Sequence, residues 1–292
     1  MHSSAREVRF ELDSVSLAGL RWHEGSPIKV LALHGWLDNA ASFAQLAPQL
    51  PECDVLALDL AGQGLSTHRP GKGAYNIWQD LRELIQVLQQ LAWPRAVLLG
   101  HSRGAMVLSL FAACFPERTL GLVLLDALLP HTTDEVALPR HLRTAVMASL
   151  DLKKLRRRSY HKSFEAAVHS RMQGLYPLSY EASELLAQRS VRRDADKGWY
   201  WHFDSALMLP SELRLSPAQA RAFLDAWQQR ALLVAASDGF LVGEALDKWR
   251  EHEKLMVVEL DGGHHLHMSA KHEQLGPLVN TIKQYLVTLD ND

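Results

Sequence analysis

The sequence predicts an α/β fold in which a mainly parallel sheet is covered on both faces by helices. Three observations carry this. Short apolar runs at 29–33, 54–60, 96–99, 120–125, 231–236 and 255–260 each end in a polar or glycine-rich turn, as strands buried on both faces should. Helical patterns of roughly 10 to 15 residues separate several of them, which implies right-handed crossovers between parallel strands. The third is the stretch AVLLGHSRGAM at 96–106, where a strand-like run meets glycine, serine and glycine just before a helical pattern begins.

That stretch organises the rest. Ser102 would stand on a strained strand-to-helix turn, with Gly100 and Gly104 two residues to either side supplying room that a Cβ would take. A helix starting near Arg103 would aim its unpaired N–H groups and positive dipole end at the serine oxygen. Met106, Val107, Leu110 and Phe111 give that helix an apolar face. Ser102 is therefore the candidate nucleophile.

Composition narrows the function classes. The chain has 292 residues, 47% of them hydrophobic, enough for a sizeable core. Lys and Arg number 31 against 33 acids, a formal charge of −2, so nothing pulls in nucleic acid or an anionic membrane. A small-molecule partner is the expectation. The N-terminus has no long apolar stretch, and no run reaches the length of a membrane span. The reading is a soluble, cytoplasmic protein without membrane insertion. Cys53 and Cys114 are too few for a disulfide framework and read as reduced thiols.

Taken in order, residues 8–22 alternate apolar and polar around Asp13-Ser14, which predicts an antiparallel hairpin at a sheet edge. The strand at 29–33 runs into His34-Gly35-Trp36, a polar loop through Asp38, and a helical stretch over 40–50. The strand at 54–60 breaks into Ala61-Gly62-Gln63-Gly64-Leu65-Ser66, where Asp59 reads as the anchor of the loop. The G-x-G there lacks the spacing of a phosphate site. A helix over 77–91 follows, then the serine turn, then the strand 120–125 closed by Asp126.

From about 130 to 227 no apolar strand run appears and helical periodicity takes over. Gly174, Pro177, Gly198 and Pro210 divide that segment into several helices. Lys153-Lys154 and Arg156-Arg157-Arg158 read as a solvated helix face, and Trp199-Tyr200-Trp201 as core packing. The sheet resumes at 231–236, ending in Ser237-Asp238-Gly239, and at 255–260, ending in Asp261-Gly262-Gly263-His264-His265. An amphipathic helix over 273–289 closes the chain. The expected organisation is one discontinuous domain, 1–129 with 228–292, interrupted by a helical insertion at 130–227.

A serine in G-H-S-R-G after a strand, then Asp238 after a later strand, then His264 after the last strand give the chain order serine, acid, histidine. With His34-Gly35-Trp36 and the glycine loop at 59–66, the chain resembles the α/β-hydrolase superfamily, and within it the serine hydrolase-like proteins of the lidded esterase type. The resemblance is specific over 28–126 and 231–289. It implies a mainly parallel eight-stranded sheet, with the insertion as a helical lid.

The chemistry explains these residue types. A serine hydroxyl needs a base within hydrogen-bond reach, which His264 would supply, while Asp238 would orient the imidazole and stabilise its cation. Asp126, also at a strand end facing that edge, is the alternative acid. The oxyanion formed on attack would be received by the backbone N–H groups of Trp36 and Arg103. The expected activity is hydrolysis of a small-molecule carboxylic ester through an acyl-enzyme, with no cofactor and no metal. His265 and His267 lie beside the base, yet further ligands at metal spacing are not visible in the sequence. Carbon–carbon bond or thioester hydrolysis and acyl transfer would use the same triad, a non-catalytic binding protein on this fold is the alternative from another class, and the chain could form a homodimer or stay monomeric.

Overall fold

In the computed structural model, residues 5–71, 73–151, 158–269 and 272–289 are described. The chain begins at an antiparallel edge. Strands β1 (Arg6–Glu11) and β2 (Ser16–Trp22) form the hairpin expected around Asp13-Ser14, with Phe10 opposite Leu17. β2 then pairs antiparallel with β4 (Cys53–Leu58). From there every pairing is parallel, through β3 (Ile28–Leu33), β5 (Ala96–His101), β6 (Thr119–Leu125), β9 (Ala231–Asp238) and β10 (Leu255–Gly263). The eight strands lie in the order β1-β2-β4-β3-β5-β6-β9-β10.

Alternate side chains of the central strands feed two cores. Leu31, Leu33, Leu56, Leu58 and Leu98 face α1 (Ile77–Gln90) and α2 (Arg103–Cys114) and meet Leu84 and Phe111 there. Val30, Ala32, Val55, Val97 and Leu99 face the other way and meet Ile282 and Tyr285 of α7 (His272–Leu289). Burial on both sides is why these strands read as unbroken apolar runs. Among the described residues no helix is long and apolar enough to cross a membrane.

Two sequence expectations change. The stretch 40–50 forms two 3-10 turns, Ala40–Phe43 and Ala47–Gln49, instead of one helix. Pro48 has no N–H to donate to Ala44, and its ring would collide with that carbonyl, so an α-helix cannot run through it. Between β6 and β9, the helices α3 (Leu138–Leu150), α4 (Phe164–Met172), α5 (Tyr180–Ser190) and α6 (Pro217–Asp225) are joined by a hairpin of β7 (Val191–Asp194) and β8 (Gly198–Trp201). The Trp199-Tyr200-Trp201 run is thus a strand, and Trp199 and Trp201 pack half-buried on Val168 and Ala187. Asp194 and the positive φ of Gly198 turn the hairpin. Lys153, Lys154, Arg156 and Arg157 lie outside the described residues.

Among the described residues this segment adds no strand to the large sheet, and it is fastened to the loops after β3 and β4 and to α2. The Asn39 amide donates to Leu186 O at 2.9 Å and to Ser190 Oγ at 2.7 Å. Arg189 of α5 pairs with the fully buried Asp59, the Tyr75 hydroxyl donates to Asp204 at 2.7 Å, and the Trp227 indole donates to Ser109 O at 2.9 Å.

Helix α2 sits very close to the sheet at its first turn. A Cβ on Gly104 would overlap the Leu33 carbonyl of β3, a backbone group that cannot turn aside. Gly104→Ala should therefore cost several kcal/mol, on the order of a severe overpacking change. Gly73→Ala, where a Cβ meets nothing within 4 Å, should stay within about 0.5 kcal/mol of wild type in urea unfolding. Equal midpoints for the two variants would contradict this packing.

Candidate active site

Ser102 joins β5 directly to α2, with φ 50° and ψ −117°. A non-glycine residue held there stores on the order of 1–3 kcal/mol of strain. The turn is locked from both sides: the Ser102 N–H donates to Leu125 O of β6, and its carbonyl accepts from Met106 N–H, each at 3.1 Å. Gly100 makes the return possible, since a Cβ there would stand 2.5 Å from Ala105 Cα. The Arg103 N–H occupies the first position of α2, where no partner within the helix is available. The Arg103 side chain turns to Asp80 at 2.8 Å.

His264 follows β10 and is buried. Its Nδ1–H donates to Asp126 Oδ2 at 2.6 Å, leaving Nε2 with a lone pair when the ring is neutral. The structure therefore pairs the histidine with Asp126 and not with Asp238. Asp126 turns out of β6 at φ 50° and is fully buried between β6 and the loop after β9. There it accepts from Ala236 N–H at 3.1 Å and Phe240 N–H at 2.6 Å. Asp238 continues β9 alongside Gly263 with its side chain exposed. The physical reason is space: a Cβ on Gly239 would lie 2.5 Å from Asp126 Oδ1, so Gly239 makes room for the other strand's carboxylate. In the sequence, Gly239 reads only as a turn residue after Asp238.

The loop after β3 is fixed by polar contacts from several elements. His34 Nδ1–H donates to Gly35 O at 2.7 Å and its Nε2 accepts from Leu60 N–H at 3.0 Å. Leu37, at φ 62°, donates its N–H to Gln63 Oε1 at 2.6 Å. Asp59 accepts from Ala40 N–H at 2.7 Å and Leu65 N–H at 2.8 Å, so it ties this loop to the glycine-rich one. Trp36 is 45% exposed and anchors its indole on Leu207 O at 3.1 Å. Gln63, whose side chain steadies this loop, carries no sequence signal beyond lying in a turn.

Three further histidines crowd this region. His101 Nε2–H donates to the His264 carbonyl at 2.9 Å, and the two rings are 4.6 Å apart. His101, next to Ser102 in the chain, thereby ties the serine turn to the loop that carries His264. Burial pushes His101 well below the usual histidine range, reinforced by His267 and His265. Burial alone would raise the Asp38 carboxyl, but His265 and Arg171 hold it well below the usual carboxylate range. Arg171 reaches Asp38 Oδ1 at 2.7 Å from α4. Tyr176 covers His264 with ring centroids 4.1 Å apart. Ser102, Trp36, Arg103, Met106, Tyr176 and Phe240 line a largely apolar cavity of about 590 Å³. A second cavity of about 640 Å³, walled by Glu7, Trp22 and Arg189, contains none of these groups.

The fold is that of the α/β-hydrolase class, and the chain belongs to that family: the family model described as alpha/beta hydrolase fold matches residues 29–271. Among its relatives, the human serine hydrolase-like protein 2 is 30% identical over 288 residues, covering 90% of this chain and 89% of the relative. A serine hydrolase-like protein of Danio rerio is 28% identical over 285 residues, 92% of this chain and 86% of the relative. A hypothetical protein of Pseudomonas aeruginosa PAO1 superposes with a TM-score of 0.92 at 38% identity, covering 96% of this chain and 99% of that one. The thioesterase domain from the curacin biosynthetic pathway superposes at 0.80 with 26% identity, covering 94% and 99%.

Asp126 gathers backbone donors from the end of β9 and the loop after it as well as the imidazole, so its loss should be felt by the fold itself. Asp126→Asn presents N–H groups where acceptors are needed and should destabilise the chain by about 2–4 kcal/mol. Asp238→Asn, at an exposed position, should change stability by less than about 0.5 kcal/mol. Urea unfolding of both variants checks this, and a reversed order would contradict the hydrogen bonds described.

Proposed function

We propose that the protein is a serine hydrolase that cleaves carboxylic esters of uncharged small molecules through an acyl-enzyme. The observation that carries this is Ser102 on a strained strand-to-helix turn, opening onto an apolar cavity, with the Asp126-oriented His264 on a loop that His101 ties to the serine turn.

In this reading Ser102 Oγ attacks the acyl carbon while His264 Nε2 takes its proton. Asp126 fixes the tautomer and stabilises the resulting imidazolium. The tetrahedral oxyanion is met by the Arg103 N–H, at the positive end of α2, and by the Trp36 N–H. His264 then protonates the leaving alkoxide, and a water activated by the same imidazole releases the acid. One such donor is typically worth about 3 kcal/mol of transition-state stabilisation, so the hydrogen bonds that fix the loop of Trp36 are part of the machinery.

The segment from 130 to 227 acts as a lid. Tyr176, Leu207, Met208 and Leu213 come from it, face the cavity, and give an acyl chain an apolar wall. A thioester is the second reading, favoured by the likeness to the curacin thioesterase domain. A thioester carbonyl would use the same serine, histidine and donors.

A fluorophosphonate probe should label wild type and leave Ser102→Ala unlabelled, and that variant should lose at least about 10⁴-fold in kcat on p-nitrophenyl butyrate. Asp126→Asn should lose about 10³-fold or more, and Asp238→Asn only a few-fold. Retained labelling at Ser102→Ala, or an Asp238→Asn loss as large as that of Asp126→Asn, would refute the assignment.

The cavity makes a second demand. Each methylene buried is worth about 0.8 kcal/mol, roughly fourfold, so kcat/KM should rise from acetate through short and medium acyl chains until the space is full. Peptides and dicarboxylates should be poor substrates. A maximum at acetate would show that the lid residues do not form the acyl pocket.

A further inference from the structure

We propose that Asp38, His101 and His265 form a site for one transition-metal cation of the zinc class, and that an ion bound there shuts down the neighbouring hydrolytic centre. Only the inhibitory half rests on the serine-hydrolase reading.

The donor atoms already converge. Asp38 Oδ2, His101 Nδ1 and His265 Nε2 all lie within 4.8 Å of one another, with 3.3 Å from Oδ2 to the His265 nitrogen and 4.0 Å to that of His101. Two ligands held at 2.0–2.2 Å on a tetrahedral zinc stand roughly 3.4 Å apart, so side-chain shifts on the order of 1 Å close the set. The fourth position would fall to water, as in three-ligand zinc sites.

His101 is prepared for this role. It is fully buried and its Nδ1 has no hydrogen-bond partner, while Nε2–H is committed to the His264 carbonyl. That fixes the lone pair on Nδ1 and provides the backbone acceptor that orients most metal-binding imidazoles from behind. A buried ring nitrogen left unpaired carries a desolvation cost that a ligand would relieve.

There is also room. A Cβ on Gly35 would lie 3.0 Å from His101 Nδ1 and 3.1 Å from Asp38 Oδ2, so the space beside two donors exists because residue 35 has no side chain. Gly35 has no positive φ that would otherwise demand glycine.

Arg171 currently holds this carboxylate, at 2.7 Å from Asp38 Oδ1, and lies 3.4 Å from His265 Nε2. A cation and a guanidinium cannot share one carboxylate cheaply, so metal and Arg171 compete. Arg171 sits in the last turn of a lid helix with its side chain 17% exposed, and can move outward.

The consequence for catalysis follows from chain position. His101 precedes Ser102 and His265 follows His264, whose ring centroid is 5.1 Å from that of His265. A dication on the adjacent His265 ring opposes the imidazolium that His264 must become when it takes the serine proton. It also recruits the two residues that flank the reacting pair.

The test is titration of EDTA-treated, dialysed protein with zinc chloride by calorimetry, with cobalt(II) absorption as a spectroscopic readout. The expected result is saturation at one ion per chain, with a tetrahedral cobalt spectrum. His265→Gln should weaken binding at least about tenfold, and Arg171→Gln should tighten it, since it frees Asp38 and removes a neighbouring positive charge. Esterase activity should fall at least tenfold on zinc saturation and return with EDTA, with His265→Gln markedly less sensitive. No stoichiometric binding, or a His265→Gln variant that binds like wild type, overturns the site. Wild-type binding with undiminished turnover overturns the inhibition alone. Fluorophosphonate labelling of metal-free protein reports separately on the hydrolase reading, so its failure is not confused with failure of the site.

Discussion

The close approach of α2 to β3 is the constraint on which the site depends. Gly104 rests on the Leu33 carbonyl with no space for a Cβ, and Gly100 sits as tightly against Ala105. Because helix and sheet cannot separate at this point, the residue that joins them cannot relax, and Ser102 keeps a backbone conformation that no local preference would choose. The strain is offset by the surrounding core, where Leu33, Leu98 and Phe111 are essentially inaccessible to solvent. The same approach brings the first N–H groups of α2 to the serine without further adjustment.

Around that turn the loops are organised by buried carboxylates, each collecting donors from separate parts of the chain. Asp59 binds the N–H groups of Ala40 and Leu65 together with Arg189. Asp126 binds those of Ala236 and Phe240 together with His264. Asp38 joins Arg171 and His265. An unpaired buried carboxylate is costly, so each of these groups specifies one arrangement of its loops. Two of the three reach into the segment between β6 and β9, through Arg189 and Arg171. The position of that segment is therefore coupled electrostatically to the residues around Ser102 and His264.

The histidines beside His264 show how one region can serve several ends. His34 closes its own loop with both ring nitrogens. His101 ties the serine turn to the His264 loop with one nitrogen and leaves the other free. His265 faces Asp38, and His267, with neither ring nitrogen partnered, packs against Phe43. Burial pushes His267 down to about 3, so it behaves as a neutral, polarisable core residue at ordinary pH.

Much of this was present in the sequence because it depends on local pattern. Apolar runs marked the strands of the parallel core within a few residues, and G-H-S-R-G between a run and a helical stretch located Ser102, since glycine spacing encodes a tight turn wherever the rest of the chain goes. The exceptions were local as well: Pro48 broke the stretch at 40–50, and β-propensity in Trp199–Trp201 lay hidden in a helical context. What no local pattern could decide was which groups meet across the fold. Asp126 and Asp238 both end strands, and sequence order favoured Asp238. His264 pairs with Asp126 because β6 lies beside β9, and Gly239 opens the loop to a carboxylate from 113 positions earlier in the chain. Asp38, His101 and His265 likewise stand far apart in sequence and converge only where three strand ends meet. Turns follow from the residues that form them, whereas contacts between strand ends depend on strand order and on the space left between side chains, which exist only once the sheet is assembled.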